Sequence, residues 1–104
     1  MQQNLTENTT VSNPKKLVIP VVNLSANVTS GRAPLSVLFT FASQNAEVTG
    51  WDLAKDQDIY QEGLFNSPEG TLVYVFQDRE TYTFILVASN DNDTVSKQVT
   101  ITVR

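Results

Sequence analysis

The sequence predicts an all-β protein: two antiparallel sheets packed face to face as a sandwich, from about seven strands. Three observations predict it. Apolar and polar residues alternate with period two around Val22, Leu35, Phe84 and Ile101, and no segment carries a helical period. Turn-forming clusters separate these stretches at short, regular intervals. The stretch TYTFILVASN, residues 81–90, sets Tyr82, Phe84, Leu86 and Ala88 on one face among Thr and β-branched residues, so it reads as the central strand.

Taken in order, residues 1–16 are Asn, Thr, Ser and Gln with one Pro and two Lys, too polar to offset their own ordering entropy. They read as a flexible linker, with one domain over residues 17–104. Val22, Leu24, Ala26 and Val28 then alternate with Asn23, Ser25 and Asn27 as a half-buried strand. TSGRAP, residues 29–34, is a turn in which Gly31 is expected to take positive φ and Pro34 to fix the start of the next strand. Leu35, Val37, Phe39 and Phe41 alternate with Ser36, Leu38 and Thr40. Residues 48–53 form a third strand around Trp51.

Residues 54–70 read as irregular, because Asp56, Asp58, Gly63, Asn66, Pro68 and Gly70 interrupt them. Ile59-Tyr60 and Leu64-Phe65 are apolar islands there, a short edge strand and a plug. Residues 71–76 are strand-like, and residues 77–80 turn the chain into the central strand. NDND, residues 90–93, is a tight turn into a last strand, where Val95, Val99, Ile101 and Val103 point one way.

A Trp on the third strand, facing aromatic residues of the second and penultimate strands, is the immunoglobulin-type core arrangement. Phe39 and Phe84 stand where that arrangement often carries inter-sheet cysteines. Trp51, Phe39, Phe84, Leu86 and Ile101 are expected to be buried together. Tyr82 lies two residues before Phe84, the spacing of a tyrosine corner, whose hydroxyl bonds back to upstream backbone.

Composition bounds the function. The chain has 104 residues, 40% of them hydrophobic, enough for one layered core. Its net charge is −4 and its pI about 4.5, against the basic stripe that nucleic-acid binding or anionic membranes require. With neither Cys nor His, the usual zinc ligands and the Ser-His-Asp and Cys-His nucleophiles are absent. No run approaches the roughly 20 apolar residues of a membrane span, so no membrane insertion is expected. QQNLTENTT after Met1 does not read as a signal peptide.

Three stretches together resemble a polycystic-kidney-disease (PKD) repeat domain, an immunoglobulin-like β-sandwich. They are PVVNLSANVTSGRAPLSVLFT, the WD of WDLAKD, and ETYTFILVASNDNDTVSKQVTITV. They cover most of residues 20–103, and the first is most similar to PKD repeats of archaeal cell-surface and surface-layer proteins. The resemblance implies a module that occurs in tandem as an extracellular spacer and contacts proteins or carbohydrate. The family's usual WDFGDG stands here as Trp51-Asp52-Leu53-Ala54-Lys55-Asp56, so the same sandwich is expected with an altered loop after Trp51.

Five N-x-S/T sequons, at Asn4, Asn8, Asn23, Asn27 and Asn92, exceed the about two that this composition gives by chance. They read as glycan acceptors and favour a piece of a larger exported protein at the cell surface. Asp52, Asp56 and Asp58, and separately Asp91 and Asp93, are acidic enough for calcium but lack the spacing of a calcium loop, and read as solvated turns. No metal or cofactor is expected. Asp52 with Glu62 is the best carboxylate pair for acid–base chemistry, without a cleft to work in. Tyr60, Phe65 and Tyr74 are the loose candidates for a sugar platform, which needs two or three coplanar rings. Ile85 and Val87, apolar on the outer face of the central strand, are candidates for a contact face, covered by residues 54–70 or by another molecule. The expected role is a non-catalytic extracellular spacer and protein–protein interaction module, monomeric in isolation. The alternative is an accessory carbohydrate-binding module of a secreted hydrolase.

Overall fold

The computed structural model describes residues 18–104. The linker expected over residues 1–16, the start at Leu17, and Asn4 and Asn8 lie outside the described residues. Eight strands are present among the described residues: β1 (Val21–Ala26), β2 (Ser30–Gly31), β3 (Leu35–Gln44), β4 (Val48–Lys55), β5 (Asp58–Leu64), β6 (Glu69–Phe76), β7 (Thr81–Ser89) and β8 (Thr94–Val103). One sheet has the order β1-β3-β6 and the other β2-β8-β7-β4-β5. This is an all-β, immunoglobulin-like sandwich. Every pairing is antiparallel except the short parallel bridge of β2 to β8.

Alternation is realised strand by strand. Along β3, Val37, Phe39 and Phe41 are buried while Ser36, Leu38 and Thr40 are exposed. Along β7, Tyr82, Phe84, Leu86 and Ala88 are at most 2% exposed. Phe39 and Phe84 stack across the gap with centroids 3.9 Å apart and planes at 11°, so two rings make the inter-sheet contact that a disulfide makes elsewhere. Phe76 meets Phe39 edge-on at 6.5 Å. Ser43 and Thr49 are buried polar residues from opposite sheets; their hydroxyls bond each other at 2.8 Å, and Ser43 Oγ also donates to the Pro68 carbonyl.

The core divides in two. Val37, Phe39, Leu53, Phe76, Tyr82, Phe84, Ile101 and Val103 form one cluster. Val22, Phe41, Leu86 and Ala88 form the other, so Leu86 packs apart from Phe84 and Ile101. Trp51 is half-buried rather than enclosed. It stacks on Phe84 at 5.6 Å but lies one strand from the sheet edge, directly opposite Gly63, which offers no side chain to cover it. A Cβ at Gly63 would come within 2.6 Å of Trp51 Nε1.

The turns explain the remaining departures. Residues 54–70 are mostly ordered strand, because β4 and β5 form a hairpin turning on Asp56 and Gln57, both at positive φ (54° and 70°). That is a two-residue hairpin with left-handed central residues, usually signalled by Asn-Gly or Asp-Gly. Gly31 does not take positive φ; a Cβ there would sit 2.6 Å from Leu35 Cδ1, so the glycine supplies space. The Ala33–Pro34 peptide is cis. β1 stops at Ala26, leaving Val28 exposed. The tyrosine corner is present: Tyr82 Oη donates to the Asp78 carbonyl at 3.0 Å. The residue 90–93 turn closes on Asn90, whose Oδ1 accepts the Asn92 and Asp93 amides.

Candidate functional site

Strand register decides which side chains share the outer face of the five-stranded sheet. Gly50 pairs with Leu64 on one side and Val87 on the other; Asp52 pairs with Glu62 and Ile85. Directly opposed residues point the same way. Val48, Leu64, Val87, Ile85, Asp52 and Glu62 therefore stand on one face, away from the core. Gly50 interrupts that face and leaves an open hollow of about 420 Å³, walled by Val48, Leu64, Val87 and Ser89 and bordered by Asp52 and Glu62. The glycine is required for close approach, since a Cβ there would lie 2.8 Å from the Gly63 carbonyl oxygen.

Ile85 and Val87 are half-buried among their cross-strand neighbours. Leu64 stands beside Val87 across Gly50, and the hollow between them is open. Phe65 is a plug, but for the interior: it stacks on Phe41 at 3.7 Å, and its amide donates to the Thr49 carbonyl. Leu64, its neighbour, faces outward and is 76% exposed, with Val48 50% exposed. The face therefore includes Val48, Gly50 and Leu64, which sequence reasoning missed. Their shared location follows from the β4–β5 register, which rests on a turn without glycine.

Asp52 and Glu62 are brought directly opposite each other, on an open face rather than in an enclosed cleft. Two carboxylates so placed repel each other, and nothing encloses a substrate between them. Asp56 and Asp58 sit at the hairpin end, away from Asp52 along β4. Among the described residues no three acidic, His or Cys side chains gather to hold a metal ion. Asp93 is engaged in its own turn, with Oδ1 accepting the Thr94 amide at 2.8 Å.

The aromatic candidates separate. Tyr60 and Tyr74 meet through their hydroxyls at 3.5 Å, and Tyr74 Oη donates to Gln61 Oε1. The register shifts by one residue between Leu53 and Ala54, so Tyr60 is a bulge and joins Gln61 in leaning toward β6. Trp51 stands nearly perpendicular to Tyr74, at 70°. Phe65 is elsewhere, in the second core cluster. These rings close the open side of the sandwich and form no flat three-ring platform. Desolvation first, then the hydrogen bond with Tyr74, hold the Tyr60 hydroxyl well above its ordinary pKa. Burial, then the charges of Asp78 and Glu80, raise that of Tyr82.

Asn23 and Asn27 are exposed and face away from Leu24 and Ala26. Asn27 Oδ1 accepts the Leu38 amide, and Asn92 Nδ2 donates to the Val18 carbonyl. Each arrangement leaves at least one side-chain amide N–H available for an N-linked sugar. No protein-family model matches the chain, and no curated protein matches it.

Proposed function

We propose that this chain is a non-catalytic spacer and protein–protein interaction module of PKD type, part of a larger exported cell-surface protein. The observation that carries it is the outer face of the five-stranded sheet. Two buried clusters hold the sheets together, while Val48, Leu64 and Val87 surround an open hollow that no segment of the described chain covers. Exposed apolar residues gathered around one depression fit a protein contact. Exposed sequons at Asn23, Asn27 and Asn92 support an extracellular setting. The open placement of Asp52 and Glu62 supports a non-catalytic role.

The carbohydrate-binding alternative draws on Tyr60 and Tyr74. It is the weaker reading, because those two rings bridge the sheets by their hydroxyls and the third candidate ring is packed on Phe41.

The test joins two copies of the domain in tandem in one polypeptide and compares its amide NMR spectrum with that of the single domain. Shifts at residues 48–50, 62–64 and 85–89, abolished by Leu64→Ser with Val87→Thr, are the expected result. Identical spectra for single and tandem forms, with shifts around Tyr60 and Tyr74 on adding oligosaccharides, would replace this reading with the alternative.

A further inference from the structure

All three arginines of the chain converge on one place. Arg32 comes from the turn between β2 and β3, Arg79 from the turn between β6 and β7, and Arg104 from the residue after β8. Together with Ala33 they line a single open hollow of about 490 Å³ at one end of the sandwich. In a chain of net charge −4, gathering every guanidinium at one point costs mutual repulsion that nothing in the fold requires. Among the described residues no lysine lines the hollow. Lys55 lies over the Tyr60 ring, Lys97 is on β8, and Lys15 and Lys16 are outside the described residues.

The backbone beneath the three arginines is stitched together. The Ala33 amide donates to the Arg104 carbonyl at 2.8 Å, and the Arg104 amide to the Gly31 carbonyl at 2.7 Å. The Val103 amide donates to the Glu80 carbonyl at 2.9 Å, joining the third segment. The tyrosine corner then pins Asp78, beside Arg79. Three chain segments distant in sequence are thus held in fixed relation, which is the preorganisation that a binding site needs. Asp78 and Glu80, the carboxylates on either side of Arg79 in sequence, do not line the hollow.

We propose that Arg32, Arg79 and Arg104 form a binding site for an oxyanion group: a sulfate, phosphate or carboxylate. Guanidinium offers planar paired donors that match such groups two at a time, which ammonium does not. The anion is either a free inorganic ion or an ester or carboxylate group carried on an acidic glycan. The site is separate from the contact face, and neither depends on the other.

The test is an amide NMR titration with sodium sulfate, against sodium chloride at matched ionic strength. Saturable shifts confined to residues 31–33, 78–80 and 102–104, given by sulfate and not by chloride, are expected. Arg79→Gln should weaken the affinity about fivefold or more, and Arg79→Lys, which keeps the charge but loses the fork, should also weaken it. The three side chains are exposed and like-charged, so melting temperatures should not fall in the variants, which separates lost binding from lost fold. A sulfated oligosaccharide binding about tenfold tighter than sulfate, with its unsulfated counterpart inert, assigns the glycan source. Equal affinity for the two assigns the free ion. Equal shifts with chloride, shifts as large at Lys55 and Lys97, or an unaltered titration in an Arg79→Gln, Arg104→Gln double variant would overturn the site.

Discussion

The two faces of β7 are made from similar residues and behave differently. Inward, Tyr82, Phe84, Leu86 and Ala88 lose all but 2% or less of their surface to the facing sheet. Outward, Thr83, Ile85, Val87 and Ser89 are covered only by their neighbours in the same sheet and stay half-buried. Ile85 and Val87 are no less apolar than Leu86. What differs is the presence of a second layer. Inner residues should therefore govern stability, and outer ones what the domain touches.

The largest test is Phe84→Ala. It removes the ring that stacks on Phe39 and Trp51 and should cost about 3–5 kcal/mol, enough to unfold much of the population at 25 °C. A folded, cooperative variant would break the comparison at once. Trp51→Ala should cost less, about 2–3 kcal/mol, because the indole is half-buried at the edge beside Gly63. A loss equal to that of Phe84→Ala in urea unfolding would mean that the edge is as closed as the centre.

Tyr82→Phe deletes one hydrogen bond and should cost about 1 kcal/mol while the fold persists. An unchanged urea midpoint would mean that the hydroxyl is solvated. The same hydroxyl has a pH signature. Its folded pKa is raised above the ordinary 10.0, as is that of Tyr60. The neutral phenols are thus favoured by folding. Their contribution is whole below about pH 10 and is lost as pH rises through the raised folded values. Melting temperature should fall above pH 10, and less steeply in Tyr82→Phe.

On the outer face, Ile85→Thr with Val87→Thr should cost no more than about 1 kcal/mol. A loss above about 2 kcal/mol would mean a cover that the sheet does not show. Smallest is Glu62→Lys, which turns the repulsive cross-strand pair with Asp52 into an attractive one. A gain of about 0.3–1 kcal/mol is expected by thermal unfolding; a loss would mean that the two carboxylates share a ligand or proton.

Period-two alternation and turn residues made most of this fold legible in advance. The inner sets of β3 and β7, the stacked Phe39–Phe84 pair and the tyrosine corner all follow from spacing. The β4–β5 hairpin did not, because Asp56-Gln57 adopts a left-handed turn without the glycine that usually signals it. From that one turn the rest was hidden: the β5 register, the bulge at Tyr60, the partnership of Leu64 with Gly50, and the glycine that leaves Trp51 half-covered. Ile85 and Val87 were visible as outward residues; their companions on the face were not. The arginine hollow was invisible for another reason. Its members stand 47 and 25 residues apart in sequence, and only the closing of β2 and β7 onto β8 brings them together.

The bulge at Tyr60 has a protective consequence. β5 is an edge strand, and its unpaired amides and carbonyls are an invitation to any passing strand. A seven-residue edge would template a long intermolecular ladder if its donors and acceptors kept step. At Tyr60 they do not, because one extra residue shifts the register and throws the local twist out of line. The hydroxyl of Tyr74 then ties Gln61 back toward β6. An incoming chain meets a regular edge only over Asp58–Ile59 or over Gln61–Leu64, too short in either direction to seed amyloid-like growth. Removing the bulged residue would straighten that edge and make the domain prone to polymerise at high concentration.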